Sequence, residues 1–162
     1  MIDSDFKISE ISLDDKDLVS KLISNHWGSI FVISKGYKHN AAELPGFICR
    51  RNNDMVGLIT YNISDNECEI VTLNCEINNK GIVTELINKV IKIAKLNNCR
   101  KVWLVTTNDN INAIKFYQKW GFEWIGFHKD AIQESRKLKP EIPELGIDNI
   151  PIKHEIEFEY KL

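Results

Sequence analysis

The chain has 162 residues, of which 43% are hydrophobic and 27% charged, and its formal net charge at pH 7 is −2. This length suits one domain with a sizeable core, and the composition is ordinary for a soluble globular protein. The slightly acidic balance excludes proteins that bind nucleic acid through a broad basic surface. No apolar run approaches the roughly 18 residues that span a bilayer, and the acidic N-terminus does not resemble a secretory signal.

The four cysteines and four histidines predict neither a disulfide framework nor a metal centre. The cysteines lack CxxC spacing, and the histidines form no HxxxH or HExxH pair. In the absence of a signal segment, we expect the cysteines to be buried thiols in a reducing compartment. The sequence therefore predicts a cytoplasmic protein without a metal and without a membrane partner.

The N-terminal part predicts two strands around one helix. Residues 6–11 alternate with period 2, which is typical of a strand, and residues 14–25 carry apolar side chains on one helical face. Residues 29–34 predict a second strand. Residues 35–45 predict a loop with room for one helical turn.

Three further strands are predicted at 46–50, 55–63 and 67–75. Turn clusters at 52–54 and 64–66 separate them, so that the three strands are expected to form an antiparallel meander.

A long amphipathic helix is predicted at 81–97, followed by a strand at 101–107. Its apolar stripe consists of Val83, Leu86, Ile87, Val90 and Ala94. A strand, helix and strand in this order favour a right-handed crossover and parallel pairing of the two strands.

The C-terminal part predicts a strand at 122–128, a short helix at 130–138 and a final strand at 155–160. Three of the four prolines fall within 139–151, which predicts an irregular segment ordered by packing. No repeat or linker divides the chain, so we expect one domain over 1–162. The element pattern indicates a mixed α/β fold, with a central twisted β-sheet flanked by helices.

The segment from Asn108 to Phe122 is the most informative stretch of the sequence. Either Asn108 or Asp109 is expected to cap a helix, and Gly121 to end it. One face of this helix is apolar and consists of Ala113, Phe116, Tyr117 and Trp120. Because a buried tyrosine hydroxyl needs a partner, the segment either packs a core or presents a phenol to a cleft.

This segment resembles the C-terminal cofactor motif of the GNAT N-acetyltransferases. The matching residues are Asn110, Ala113, Phe116, Tyr117, Gly121 and Phe122. The resemblance implies a GNAT fold whose parallel strands splay at an acetyl-CoA site. It also implies that Asn110 helps to hold the pantetheine arm, and that the hydroxyl of Tyr117 protonates the departing thiolate.

A second resemblance covers Leu73 to Thr84, which is similar to the pyrophosphate loop of the same family. A helix N-terminus offers unpaired N–H groups to a diphosphate, and glycine lets the phosphate approach the backbone. Two residues depart from the family pattern: Asn78 replaces Arg or Gln, and Val83 replaces Gly or Ala. An ordinary loop before an amphipathic helix is the alternative.

Together the two motifs predict a set of cofactor-binding residues. They are Leu73, Asn74, Asn78, Asn79, Lys80, Gly81, Ile82, Val83, Thr84, Asn110 and Tyr117. By resemblance, the backbone at Leu73 pairs with the pantetheine amides, and an N–H near it polarises the thioester carbonyl.

Glu69 is the candidate general base, because some family members carry a glutamate at a similar strand position. Glu67 shares its strand face and is the alternate. The competing interpretation of Glu69 is an exposed strand glutamate.

Trp27, His39 and Glu141 are candidate acceptor-binding residues, since their segments occupy the region where the family builds its acceptor pocket. Alternatively, Trp27 is a core anchor and His39 a solvated loop residue. The segment that contains Glu141 caps the pocket or seals the edge of the sheet.

The sequence thus predicts an acetyl-CoA-dependent N-acetyltransferase in which a primary amine attacks directly in a ternary complex. The acceptor is expected to be a small-molecule or peptide amine, and a homodimer is an open expectation because sheet-edge dimers are common in the family. The alternative is a catalytically weak acyl-CoA-binding sensor of the same fold.

Overall fold

The computed structural model describes residues 2–78 and 80–162, which form nine strands and four α-helices. The elements are β1 (Phe6–Glu10), α1 (Lys16–Trp27), β2 (Phe31–Ser34), β3 (Tyr37–Asn40), β4 (Gly46–Arg51), β5 (Asp54–Ser64), β6 (Glu67–Cys75), α2 (Ile82–Leu96), β7 (Lys101–Thr107), α3 (Ile111–Trp120), β8 (Glu123–His128), α4 (Ala131–Leu138) and β9 (Glu155–Lys161). None of these helices combines the length and the apolar character needed to cross a membrane.

Seven strands form one sheet in the order β1-β4-β5-β6-β7-β9-β8. All neighbouring pairs are antiparallel except β6 and β7, which are parallel and are joined through α2. The mixed sheet and the crossover expected from the sequence are therefore confirmed.

The two parallel strands separate soon after they begin. They pair only at 67–69 with 101–103, although β6 continues to Cys75 and β7 to Thr107. A β-bulge at Val71 interrupts the ladder between β5 and β6, because Thr60 pairs with Thr72 while Tyr61 pairs with Ile70. A bulge bends its strand, so the far half of β6 diverges from β7 and leaves a gap in the sheet.

Two apolar clusters cover the two faces of the sheet. On one face α2 buries Leu86, Ile87 and Val90 against the strands, together with Phe158 of β9. This close packing depends on Gly57, since a Cβ at that position would lie 3.2 Å from Ile82 Cγ2 and 3.3 Å from Leu86 Cδ1.

On the other face, α1 packs through Val19, Leu22 and Ile23 against Ile48 and Leu58. Val83, which was predicted in the apolar stripe of α2, is only partly buried, and Ile82 and Ile91 are buried beside that stripe.

The prediction of a loop over 35–45 is wrong in part, because this segment contains β3. β3 pairs with β2 antiparallel, and Val32 lies opposite His39. The connecting residues Lys35 and Gly36 have φ of 48° and 79°, which is typical of a type I′ hairpin turn. A lysine seldom adopts this conformation, so the hairpin gives a weak sequence signal. The expected helical turn is a 3-10 turn at 41–43.

The irregular segment after α4 is held in place by polar contacts. The Nη2 atom of Arg136 donates to the carbonyl oxygens of Pro143 and Ile152, at 2.8 and 2.9 Å. A short antiparallel bridge joins Leu145 and Pro151. These contacts fold the segment back beside β9, over the end of the gap in the sheet.

Candidate active site

A cavity of about 540 Å³ lies where β6 and β7 diverge. The two strands line it with Ile70, Val71, Leu73, Leu104, Val105, Thr106 and Thr107. Asn110 and Tyr117 of α3 line one end, on the sheet face covered by α2. Trp27, at the end of α1, lines the opposite end. The cavity therefore connects the two faces of the sheet.

Asn110 caps the N-terminus of α3, since its Oδ1 accepts a hydrogen bond from the N–H of Ala113 at 3.2 Å. Asn108 and Asp109, which were predicted as caps, instead accept hydrogen bonds from a later segment of the chain. The Oδ1 of Asn108 accepts from the N–H groups of Lys153 and His154, both at 2.9 Å, and Asp109 accepts from the N–H of Ile147. Both side chains bond to residues 147–154 because this segment lies over the start of α3.

Tyr117 is buried and packs against the rings of Phe116, Phe122 and Phe158, with centroids 5.5 to 5.8 Å apart. Burial raises the pKa of its hydroxyl, because the phenolate would be poorly solvated there. The phenol is therefore protonated at neutral pH, and it lines the cavity.

The predicted pyrophosphate loop lies at the surface beyond the far end of β6, with Gly81 in the left-handed region at φ 73°. Asn78, Lys80 and Gly81 are exposed, whereas Asn79 lies outside the described residues. α2 begins at Ile82 and runs for 15 residues, so its first amides lack helical partners and carry the positive end of the helix dipole.

Val83 is partly buried and packs against the core on the α2 face. Its β-branched side chain is thus directed into packing, and its substitution for Gly or Ala leaves the backbone amide in place. Thr84 is also partly buried, on the first turn of α2.

Glu69 is buried at 5% exposure and lines the cavity, so the interpretation of it as an exposed strand glutamate is wrong. Its Oε2 lies 3.1 Å from the Nε2 of His39, a contact that lacks hydrogen-bond geometry. Its Oε1 has no partner in the described part of the chain. Glu67 points to a different group of residues, since it pairs with Arg100 and lies 3.8 Å from Lys101.

His39 is 4% exposed, so the solvated-loop interpretation of this residue is wrong. The hairpin places it behind Glu69, and it reaches the cavity only through that carboxylate. Trp27 is partly buried, packs against the α1 core and lines the cavity. Glu141 is exposed and lines the cavity as well.

Several polar lining residues were missed from the sequence, among them Ser34, Lys139 and Glu155. All three are buried. The ammonium group of Lys139 donates to the carbonyl oxygens of Trp27 and Phe31, and burial lowers its pKa. The signal for Glu155 was present, because β9 alternates glutamates with apolar residues and so carries acidic side chains on one face.

Within residues 2–78 and 80–162, no three His, Cys, Asp or Glu side chains are grouped as a metal site would require. The polar groups of the cavity instead lie along its walls. A protonated phenol lies at one end and buried carboxylates at the other, with diverging strand backbones between them.

The sequence and the structure were compared with known proteins. Residues 16–122 match the model of the Acetyltransferase (GNAT) family. Two proteins of Bacillus subtilis (strain 168) are similar over most of their length. The uncharacterized protein YxbD is 44% identical over 143 residues, covering 87% of this chain and 89% of YxbD. The uncharacterized protein YdhI is 41% identical over 145 residues, covering 88% and 90%.

Solved structures share the fold at low sequence identity. An IAA acetyltransferase from Bacillus cereus ATCC 14579 superposes with a TM-score of 0.74 and 17% identity, covering 97% of this chain and 99% of the other. A GNAT family acetyltransferase from Elizabethkingia anophelis with acetyl-CoA bound superposes with a TM-score of 0.69 and 20% identity, covering 99% of this chain and 100% of the other. Since the family model covers most of the chain and the fold agrees, this protein belongs to the GNAT family of acetyltransferases.

Proposed function

We propose that the protein transfers the acetyl group of acetyl-CoA to a primary amine by direct attack in a ternary complex. The observation that carries this proposal is the single cavity between β6 and β7, which joins Tyr117 to Glu69. A thioester held between these groups has a proton donor on its sulfur side and a carboxylate on its acceptor side.

The cofactor is proposed to lie along the diverging half of β6. The pantetheine arm pairs with the backbone of Leu73 and Asn74, which have no ladder partner on the β7 side among the described residues. The Oδ1 of Asn74 is buried without a partner in that same part of the chain. Asn110, which lines the cavity across from β6, completes the hold on the arm.

The diphosphate is proposed to bind at the N-terminus of α2. Gly81 allows a close approach, and the first amides from Ile82 to Thr84, which have no partner among the described residues, can donate to phosphate oxygens. Lys80 is exposed beside them and adds a positive charge. Asn78 and Asn79 belong to the same proposed site.

The acceptor enters as an ammonium ion and must lose a proton before its nitrogen can attack. Glu69 is proposed to take that proton through its unpartnered Oε1, and His39 is a positioning residue behind it. The new C–N bond forms as the carbonyl oxygen gains charge, which the N–H near Leu73 stabilises. The C–S bond then breaks as Tyr117 donates its proton to the leaving sulfur, and the second proton that the attacking nitrogen loses restores the phenol through solvent.

Trp27 and Glu141 line the acceptor side of the cavity and are proposed to contact the acceptor. The acceptor is a small-molecule or peptide amine. The cytoplasmic location and the homodimer stay predictions from the sequence.

A catalytically weak acyl-CoA-binding sensor is the second candidate. Asn78 supports it, because a short amide replaces the long donor that the family usually places there. The packing of the partly buried Val83 against the core weakens it, since the second departure then leaves the diphosphate site open.

Calorimetric titration with acetyl-CoA, followed by mass spectrometry of reactions with a broad amine library, separates these outcomes. Binding with acetylated product supports the transferase. Tight binding without transfer to any amine favours the sensor. No detectable binding overturns both.

A further inference from the structure

Glu155 and Ser34 form a polar patch on the wall of the cavity that the transfer chemistry above does not use. Glu155, on β9, is 2% exposed, and Ser34, at the end of β2, is 3% exposed. Both line the cavity. The Oε2 of Glu155 accepts from the N–H of Lys35 at 3.3 Å.

Each residue keeps one oxygen without a partner. The Oε1 of Glu155 and the Oγ of Ser34 have no hydrogen bond to any described residue. Buried polar atoms in native proteins are nearly always paired, and a buried carboxylate oxygen is especially costly to leave alone. Both atoms are therefore open to a donor that enters the cavity.

The basic side chains nearby form their contacts with partners other than Glu155. The Nζ of Lys35 lies 2.9 Å from Oε1 of Glu157, and the Nε2 of His128 lies 2.7 Å from Oε2 of the same glutamate. The ammonium group of Lys139 is directed to the carbonyl oxygens of Trp27 and Phe31. Neutralisation of Glu155 by the protein is thus incomplete.

The charge of the cavity wall favours a cation. Three carboxylates line it, those of Glu69, Glu141 and Glu155, against the single ammonium of Lys139. Burial is the main cause that raises the pKa of Glu155, and the neighbouring carboxylate of Glu69 adds to it. Two buried carboxylates that are close enough to repel each other are both stabilised in their charged forms when two positive groups enter the cavity.

We propose that Glu155 and Ser34 bind a second amino group of the acceptor, and that the acceptor class is therefore a linear diamine. This inference rests on the proposed function. One amine loses its proton to Glu69 and attacks the thioester, whereas the other keeps its proton and stays on Glu155. The two carboxylates thus divide deprotonation from recognition.

The test compares 1,4-diaminobutane with butylamine as acceptors in a steady-state assay with saturating acetyl-CoA. The wild type is expected to show a kcat/KM for the diamine that is about ten- to a hundredfold higher, because one charge-assisted hydrogen bond is gained. Glu155→Gln keeps the shape and removes the charge. It is expected to raise the KM for the diamine by about the same factor while the monoamine KM changes little.

Glu159→Gln is the matched control, since Glu159 lies on the same face of β9, pairs with Lys101 at 3.1 Å and lies outside the cavity. Its diamine KM should equal that of the wild type. Equal kcat/KM for the two amines in the wild type overturns the inference, as does an equal loss for both amines in Glu155→Gln. If Glu155→Gln does not fold, the test uses Ser34→Ala and the wild-type ratio of kcat/KM for the diamine to that for butylamine. A loss confined to the diamine supports the inference, and an equal loss for both amines overturns it.

Calorimetry distinguishes a failure of the proposed function from a failure of the diamine proposal. If acetyl-CoA does not bind the wild type, the proposed function fails. If acetyl-CoA binds, titration of the loaded protein with each amine tests the inference even without turnover. Tighter binding of the diamine, lost in Glu155→Gln, supports it. Equal binding of both amines contradicts it.

Discussion

At the scale of single residues, Tyr117 offers the sharpest test of the proposed chemistry. In Tyr117→Phe the ring still packs against Phe116, Phe122 and Phe158, so acetyl-CoA binding should stay near the wild-type value. The proton donor is lost, and we expect kcat to fall by about a hundredfold or more. Stopped assays for kcat and calorimetry for the dissociation constant measure the two effects separately.

Tyr160→Phe is the control for this variant. Tyr160 packs against Trp120 and Phe122 but does not line the cavity. Its kcat should match that of the wild type. An unchanged kcat in Tyr117→Phe would rule out the acid role of this phenol.

Asp15 links the start of α1 to the sheet, and it should make stability depend on pH. Its Oδ2 accepts from the N–H and the hydroxyl of Ser12, both at 2.8 Å, and its Oδ1 accepts from Arg50 at 2.7 Å. The hydrogen bond from the Ser12 backbone, and then that from Arg50, lowers the pKa of Asp15 below its ordinary 3.8. Such a group stabilises the fold above the unfolded pKa, and the effect is lost as pH falls through the folded pKa.

We therefore expect Asp15→Asn to lower the free energy of unfolding at neutral pH by roughly 1–2 kcal/mol. The difference from the wild type should shrink as the pH falls below the ordinary aspartate pKa. Urea titrations at neutral and acid pH measure it. Asp14→Asn, at an exposed neighbour in the same turn, should show little change, and a pH-independent gap for Asp15→Asn contradicts the assignment.

At the scale of elements, the N-terminus of α2 can be tested by a charge change at one position. Gly81 has φ 73°, so Gly81→Asp and Gly81→Asn carry similar backbone strain and differ mainly in charge. Because a carboxylate would repel the diphosphate, we expect Gly81→Asp to bind acetyl-CoA about tenfold or more weakly than Gly81→Asn. Calorimetry at low and high salt should show that this difference in affinity becomes smaller at high salt, because salt screens the repulsion. Equal affinities would remove the loop from the cofactor site.

Local patterns explain which elements could be predicted from the sequence. β6 and β7 were placed at their observed bounds, because strand alternation and the turn residues around them are properties of neighbouring positions. β3 was missed, because its turn depends on Lys35 in a left-handed conformation. The cap of α3 was misplaced from Asn110 to Asn108 or Asp109, because contacts with a distant tail decide which of three adjacent polar residues is free to cap.

At the scale of the whole molecule, the acceptor wall depends on contacts that no local pattern contains. Ser34 and Glu155 are separated by most of the chain and meet only because the hairpin lies against β9. The same packing buries His39 behind Glu69. The motif proposed to bind the cofactor lies within a few adjacent elements and could be predicted from the sequence, whereas the residues proposed to select the acceptor are brought together by the tertiary structure.

This assembly predicts that the cofactor stabilises the whole fold, because the proposed site joins β6, β7, α2 and α3. A ligand at 100 times its dissociation constant adds about 2.7 kcal/mol, which raises the Tm of a domain of this size by roughly 5–10 °C. Thermal melts with and without acetyl-CoA measure the shift, and Gly81→Asp at the same ligand concentration should shift less than Gly81→Asn. Adenosine alone should raise the Tm only slightly, since it lacks both the diphosphate and the pantetheine arm. A shift of equal size with adenosine would mean that binding does not use the gap between the strands.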